Sequence, residues 1–141
     1  MATMDHQADI NELRILIQKV ARIIRGNRDT VLTESQILVL VHLDLHGPQS
    51  PFQLAEHERV SQPSMNRLLN ILEKGGYLVR SPHPGDSRRV LLTLTDSGRE
   101  VAQEERRQRS VWFSDRFAQL TPEEATALRA ALPALRRLLE L

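Results

Sequence analysis

The sequence predicts a mainly α-helical domain with one small β-hairpin set between its fourth and fifth helices. Three observations carry this. Several segments open with a hydroxyl residue followed three positions later by Gln or Glu, the pattern that satisfies orphan amides at a helix N-terminus. Glycines mark helix stops at Gly26, Gly47-Pro48 and Gly75-Gly76. Only one stretch, Val90 to Leu94, alternates with a period of two, and it follows a loop rich in proline and glycine.

The first helix is expected over Asp5 to Arg25, with Ile10, Leu13, Ile17, Val20 and Ile24 on one stripe and Leu16 and Ile23 widening it. A second runs from Glu34 to His46 behind the box Thr33-Glu34-Ser35-Gln36; being apolar nearly all round, it should be deeply buried. Ser50-Pro51-Phe52-Gln53 starts a short third helix, Pro51 to about His57, with proline at its first position. A fourth follows Ser61 and stops at Lys74. Tyr77 to Arg80 and Val90 to Leu94 make the hairpin, with Val90, Leu92 and Leu94 facing one way. Thr95 caps a long fifth helix, Asp96 to about Ala118. The box Thr121-Pro122-Glu123-Glu124 opens a sixth that runs to the C-terminus with Leu128, Leu132, Leu135, Leu138 and Leu139.

At 141 residues this is one domain, long enough to bury a core without staples. The absence of cysteine excludes disulfides, thiolate metal sites and cysteine redox sensing. Asp5 and Asp9 interrupt any apolar signal-peptide region, and no stretch approaches the length of a membrane span, so a soluble cytoplasmic protein without membrane partners is expected. The net charge of +1 conceals an uneven distribution. From Arg59 to Val90 the cations Arg59, Arg67, Lys74, Arg80, Arg88 and Arg89 face only Glu73 and Asp86, a local +4 that leaves −3 for the rest. A local positive excess beside a helix and a hairpin is the footprint a polyanion needs.

A short helix, a tight turn and a helix of about four turns form a helix-turn-helix, whose second helix reads the major groove. On that fourth helix Met65, Leu68, Leu69 and Leu72 form the buried stripe, and Ser61 is its cap. Pro63, Asn66, Arg67, Asn70 and Lys74 lie opposite, with Gln62 and Ser64 in the first turn. Amides, hydroxyls and a guanidinium are the groups that read bases and hold phosphates. An ordinary solvated face is the plain alternative, against which stands the lack of any acid there except Glu73.

The run from Leu54 to Gly98 resembles the winged helix-turn-helix of MarR-family transcription regulators. The resemblance lies in SQPSMNRLLNILEKGG, the following Arg80, the D-x-R of Asp86 and Arg88, and the L-T-x-x-G of Leu94 to Gly98. It implies a wing whose tip arginine, Arg88, enters the minor groove while Asp86 holds it; Arg89 is a phosphate contact or a strand-edge charge. It further implies a winged lobe over residues 33–95, and helical dimerisation arms over 1–30 and 96–141. The implied function is a homodimer on a pseudo-palindromic double-stranded operator, a repressor released by a small lipophilic or phenolic effector. The turn Glu58-Arg59-Val60 departs from the family pattern because it lacks the glycine many members place there. Arg59 there is either a phosphate contact or part of a longer turn, leaving the start of the fourth helix open by a residue.

Trp112, Phe113 and Phe117 gather three of the five aromatics on the fifth helix. At helical spacing such a cluster is usually core, while the resemblance implies an effector cavity between arms and lobe, which makes them its candidate lining. His42 and His46 stand at i, i+4, a spacing that suits two metal ligands. No glutamate completes HExxH and no third ligand is evident nearby. One histidine at the helix end and one packed in the core is the reading adopted, and no metal or cofactor is assigned, although some members of the resembled family use metals as effectors. An enzyme would need a nucleophile elbow, phosphate loop or paired carboxylates, none of which is present. A winged-helix protein-interaction module is the alternative to DNA binding.

Overall fold

A computed structural model of the chain describes residues 2–26 and 31–141. The elements run α1 (Ala2–Gly26), α2 (Glu34–His46), α3 (Pro51–Glu58), α4 (Gln62–Lys74), β1 (Leu78–His83), β2 (Asp86–Leu94), α5 (Asp96–Phe117), α6 (Pro122–Ala130) and α7 (Leu132–Glu140). The last four positions of the expected N-terminal arm, 27–30, lie outside the described residues. All three capping boxes form: the hydroxyls of Thr33, Ser50 and Thr121 accept the N–H of Gln36, Gln53 and Glu124, whose side chains accept the cap N–H in return. Ser61 and Thr95 cap α4 and α5 by accepting from Ser64 and Gly98.

One core sits in the lobe formed by α2, α3, α4, the hairpin and the first turns of α5. Ile37, Leu40, Leu54, Met65, Leu69, Leu72, Leu78 and Leu92 are fully enclosed there. The two strands pair antiparallel, Leu78 with Leu94 through Pro82 with Val90, and the register shifts between Pro82 and His83. The hairpin is longer than expected. Asp86, Arg88 and Arg89 lie on β2 rather than in a loop, and Val90 is exposed because the outer half of the hairpin projects past the core. The base of β2 gains a second partner: Leu92 N–H donates to Gln49 O at 2.8 Å, and Gln49 N–H returns a 3.3 Å bond.

The expected sixth helix is two. α6 ends at Ala130, with Ala131 as its cap, and α7 restarts with Pro133 in its first turn. Pro133 has no N–H for the carbonyl of Arg129 and its ring would strike that carbonyl, so the helix breaks at the preceding turn. The lobe's polarity contrasts with the helices at both chain ends. Ile10, Leu13, Leu16, Ile17, Val20 and Ile23 on α1 are exposed, as are Leu128, Leu132, Leu135, Leu138 and Leu139 on α6 and α7.

Candidate nucleic-acid interface

The α3–α4 turn is closed by Arg59, which adopts the left-handed conformation at φ 55°, ψ 45°. Its N–H donates to Glu56 O at 3.2 Å and the N–H of Val60 to Ala55 O at 3.0 Å, the paired bonds of a Schellman stop. Glycine is the residue for which this geometry is strain-free. Arg59 occupies it without lengthening the turn, so α4 starts at Gln62, directly after its cap.

α4 buries Met65, Leu69 and Leu72, and turns Gln62, Pro63, Asn66, Arg67, Asn70 and Lys74 outward. Its first turn is internally organised. Ser61 Oγ donates to Ser64 Oγ at 2.9 Å, and Arg67 Nη2 donates to the same Ser64 Oγ at 3.1 Å. The guanidinium is thereby laid back along the helix toward its N-terminus, where backbone N–H groups already favour an anion. Glu73, the single acid of α4, lies 3.9 Å from Arg80 on β1. That contact offsets the one carboxylate that would repel a polyanion from this helix.

At the hairpin, Asp86 Oδ1 accepts the backbone N–H of Arg88 at 3.0 Å and lies 3.6 Å from its Nε. The Arg88 side chain is nonetheless 92% exposed. An exposed pair of this kind adds little stability, about 0–1 kcal/mol. Arg89 is also exposed on β2.

The aromatic candidates separate. Phe113 and Phe117, with ring centroids 6.3 Å apart, line an apolar groove of about 490 Å³ together with Leu128, Arg129, Leu132 and Leu135. Trp112 is not among the lining residues; the Arg116 guanidinium stands over its ring at 5.3 Å. Arg129 covers Phe117 in the same way.

The histidine expectation fits His46, exposed at the end of α2, and is corrected for His42. His42 is half-buried and His46 exposed, so neither is a core residue. A third imidazole, His57 from α3, stacks on His42 at 3.8 Å, and His46 lies 4.4 Å from His42 on centroids. Sequence spacing could not reveal it, because His57 reaches the pair only through the α2–α3 fold. Among the described residues no group of three or more His, Cys, Asp or Glu is arranged to hold a metal ion. Burial, and then the charges of His57 and His46, lower the His42 pKa from its ordinary value. Burial raises the carboxyl of neighbouring Glu58, against the pull of His57, and Glu34 adds to the rise.

Comparison with known proteins gives a consistent picture. The MarR family profile matches residues 32–90, the span from the start of α2 to the wing. An HTH-type transcriptional regulator of Mycobacterium tuberculosis is 35% identical over 122 residues, covering 86% of this chain and 85% of that protein. The repressor NicR of Pseudomonas putida is 36% identical over 70 residues, which is half of this chain and 44% of NicR. Among solved structures, a Pseudomonas aeruginosa protein assigned as a transcriptional regulator superposes with a TM-score of 0.81 at 30% identity, covering 97% of each chain. Among the described residues, no helix is long and apolar enough to cross a membrane.

Proposed function

The chain belongs to the MarR family of DNA-binding transcriptional regulators, and from that premise we propose that it is a homodimeric repressor that grips a pseudo-palindromic operator and lets go when a small effector binds. The observation that carries the reading is a pairing of two heads. One is the exposed polar face of α4, Gln62 to Lys74, whose lone acid is engaged by Arg80. The other is the exposed Arg88 held by Asp86 at the hairpin tip. In this reading Gln62, Ser64, Asn66 and Asn70 meet base edges, while Ser61, Arg67 and Lys74 meet phosphates. Arg88 enters the minor groove, and Arg89 lies along the backbone beside it.

Two heads per subunit reach two half-sites only if the lobes are held about one helical turn, or a multiple of it, apart. The apolar side chains exposed on α1, α6 and α7 supply surface for that pairing, since exposed apolar faces mark interfaces. The arms expected over 1–30 and 96–141 are then the dimerisation elements around the 33–95 lobe. A lipophilic or phenolic effector fits the groove at Phe113 and Phe117 better than a charged one, because its walls are mainly apolar. Such a ligand acts if the bound dimer prefers a lobe spacing unlike that of the operator; only differential affinity shifts the equilibrium. Repression is favoured over activation by the likeness to the repressor NicR.

The test is binding to fragments selected from the source genome, measured across salt concentrations. A DNA-binding repressor releases counterions, so affinity falls steeply with salt. A chain lacking Thr121 to Leu141 is expected to sediment as a monomer or aggregate and to bind the selected operator poorly. No enrichment of any fragment, with a shallow salt dependence, would favour the protein-interaction module instead.

A further inference from the structure

The hairpin tip holds a hydrogen bond that the two-headed reading does not use. The backbone N–H of Gly85 donates to Nδ1 of His83 at 2.9 Å. The imidazole lies beside Gly85, where a Cβ would be in ordinary contact with His83 Cε1 at 3.4 Å. His83 ends β1 and pairs with Asp86, the first residue of β2, just after the register shift. Asp86 in turn accepts the Arg88 N–H and lies against its guanidinium. The two bonds are consecutive: the first closes the turn that delivers Asp86, and the second sets Arg88.

We propose that His83 is a positioning residue of the wing, whose neutral imidazole closes the tip turn through Nδ1 and so makes the minor-groove preference of Arg88 depend on proton concentration. A side-chain acceptor for the N–H two residues on is the part usually played by Asn or Asp in turns. An imidazole plays it only while Nδ1 is bare. A proton there turns the acceptor into a donor facing the Gly85 N–H, and the bond is lost. The resulting cation then stands on the residue that pairs with Asp86 across the turn. It competes with Arg88 for that carboxylate, while Arg88 and Arg89 on β2 and Arg80 farther down β1 oppose it. Both effects release Arg88 from its aimed position.

The inference rests on the wing reading, and the experiment separates the two. A duplex selected by the wild-type protein from a random-sequence pool is rebuilt with A·T or G·C flanks, and the ratio of the two affinities is measured. General gain of charge on acidification acts on both duplexes alike and cancels in that ratio. At about pH 8, wild type and His83→Asn should share one preference for A·T flanks, and His83→Leu should lose most of it, as Arg88→Ala does. On acidification to about pH 5 the wild-type ratio should fall about threefold, the scale that orienting one exposed charge supplies. The Asn variant, which keeps an acceptor at every pH, should hold its ratio. A Leu variant that matches wild type overturns the inference, and so does a ratio that falls equally in the Asn variant. If Arg88→Ala itself leaves the ratio unchanged, the wing reading is what fails.

Discussion

Gly98 on α5 packs directly against the carbonyl of Tyr77: a Cβ at Gly98 would overlap that oxygen and press within 3.2 Å of Leu94. The same carbonyl accepts the N–H of Thr95 at 3.1 Å. Thr95 Oγ1 donates to Gly76 O at 2.6 Å and accepts the Gly98 N–H at 3.1 Å. These contacts fasten the root of the hairpin to the start of α5, and they give the Leu94-Thr95-x-x-Gly98 run its physical meaning. Gly98→Ala is expected to destabilise the protein by about 3 kcal/mol, the upper end of overpacking costs, because the obstacle is backbone. Thr95→Ala should cost about 1 kcal/mol, as loss of a cap does. Urea unfolding of both variants checks the order.

The lobe was legible because its signals are local. A hydroxyl and a Gln or Glu three residues apart define a helix start wherever they fall, and Thr33, Ser50 and Thr121 all behave so. The apolar stripe of α4 likewise forecast which residues face outward. What escaped were relationships between distant segments. The Gln49–Leu92 bridge exists only once the hairpin packs beside the α2–α3 connection, and the stacking of His57 on His42 only once α3 has folded back. The break between α6 and α7 was a local signal overlooked, since Pro133 forbids a continuous helix there.

A second relationship ties α5 to the start of α2. Arg109 Nη2 donates to Glu34 Oε2 at 2.8 Å, and its Nε lies 3.7 Å from Glu105 Oε2. Glu105 is buried, and its loss of the adjacent guanidinium would leave carboxylates in a poorly solvated place. Arg109→Met is therefore expected to destabilise the fold by about 3 kcal/mol. Arg107, two residues from Arg109 on the same helix, offers the contrast. Its two hydrogen bonds, with a third from Gln108, hold the Glu104 carboxyl at about 2, yet the group is exposed. Water and salt compensate an exposed charge, so Arg107→Met should leave the unfolding midpoint in place.

The histidine stack makes stability depend on pH in a defined direction. The folded-state pKa of His42 lies below its ordinary value of 6.5, so the folded protein favours the neutral imidazole. Its contribution is fully present above about pH 6.5 and is lost as pH falls through the lower folded value, because the unfolded chain binds the proton first. Stability should drop between about pH 8 and about pH 5, and His42→Gln should flatten that slope. Denaturant midpoints across the range decide it; an equal slope in both proteins would show that other groups carry the dependence.

The two heads proposed to read DNA differ in the kind of contact they make, and variants should separate them. Asn66 is exposed on the first turns of α4, where an amide can bond a base edge bidentately. Asn66→Ala is expected to cost about 1–3 kcal/mol of operator affinity and to relax preference at particular base pairs, with little change in salt dependence. Arg88 carries a charge to a groove whose potential depends on its width. Arg88→Ala should weaken binding most at operators with A·T-rich flanks and reduce the salt slope by about one phosphate equivalent. Asp86→Asn keeps the side-chain acceptor for the Arg88 N–H but removes the charge beside the guanidinium, so it should show a milder loss of flank preference without a lower salt slope. If the Asp86–Arg88 contact served only the hairpin, Arg88→Ala would shift stability slightly and leave affinity for both flank types unchanged. Titrating the three variants against one operator with either flank, at two salt concentrations, distinguishes these outcomes directly.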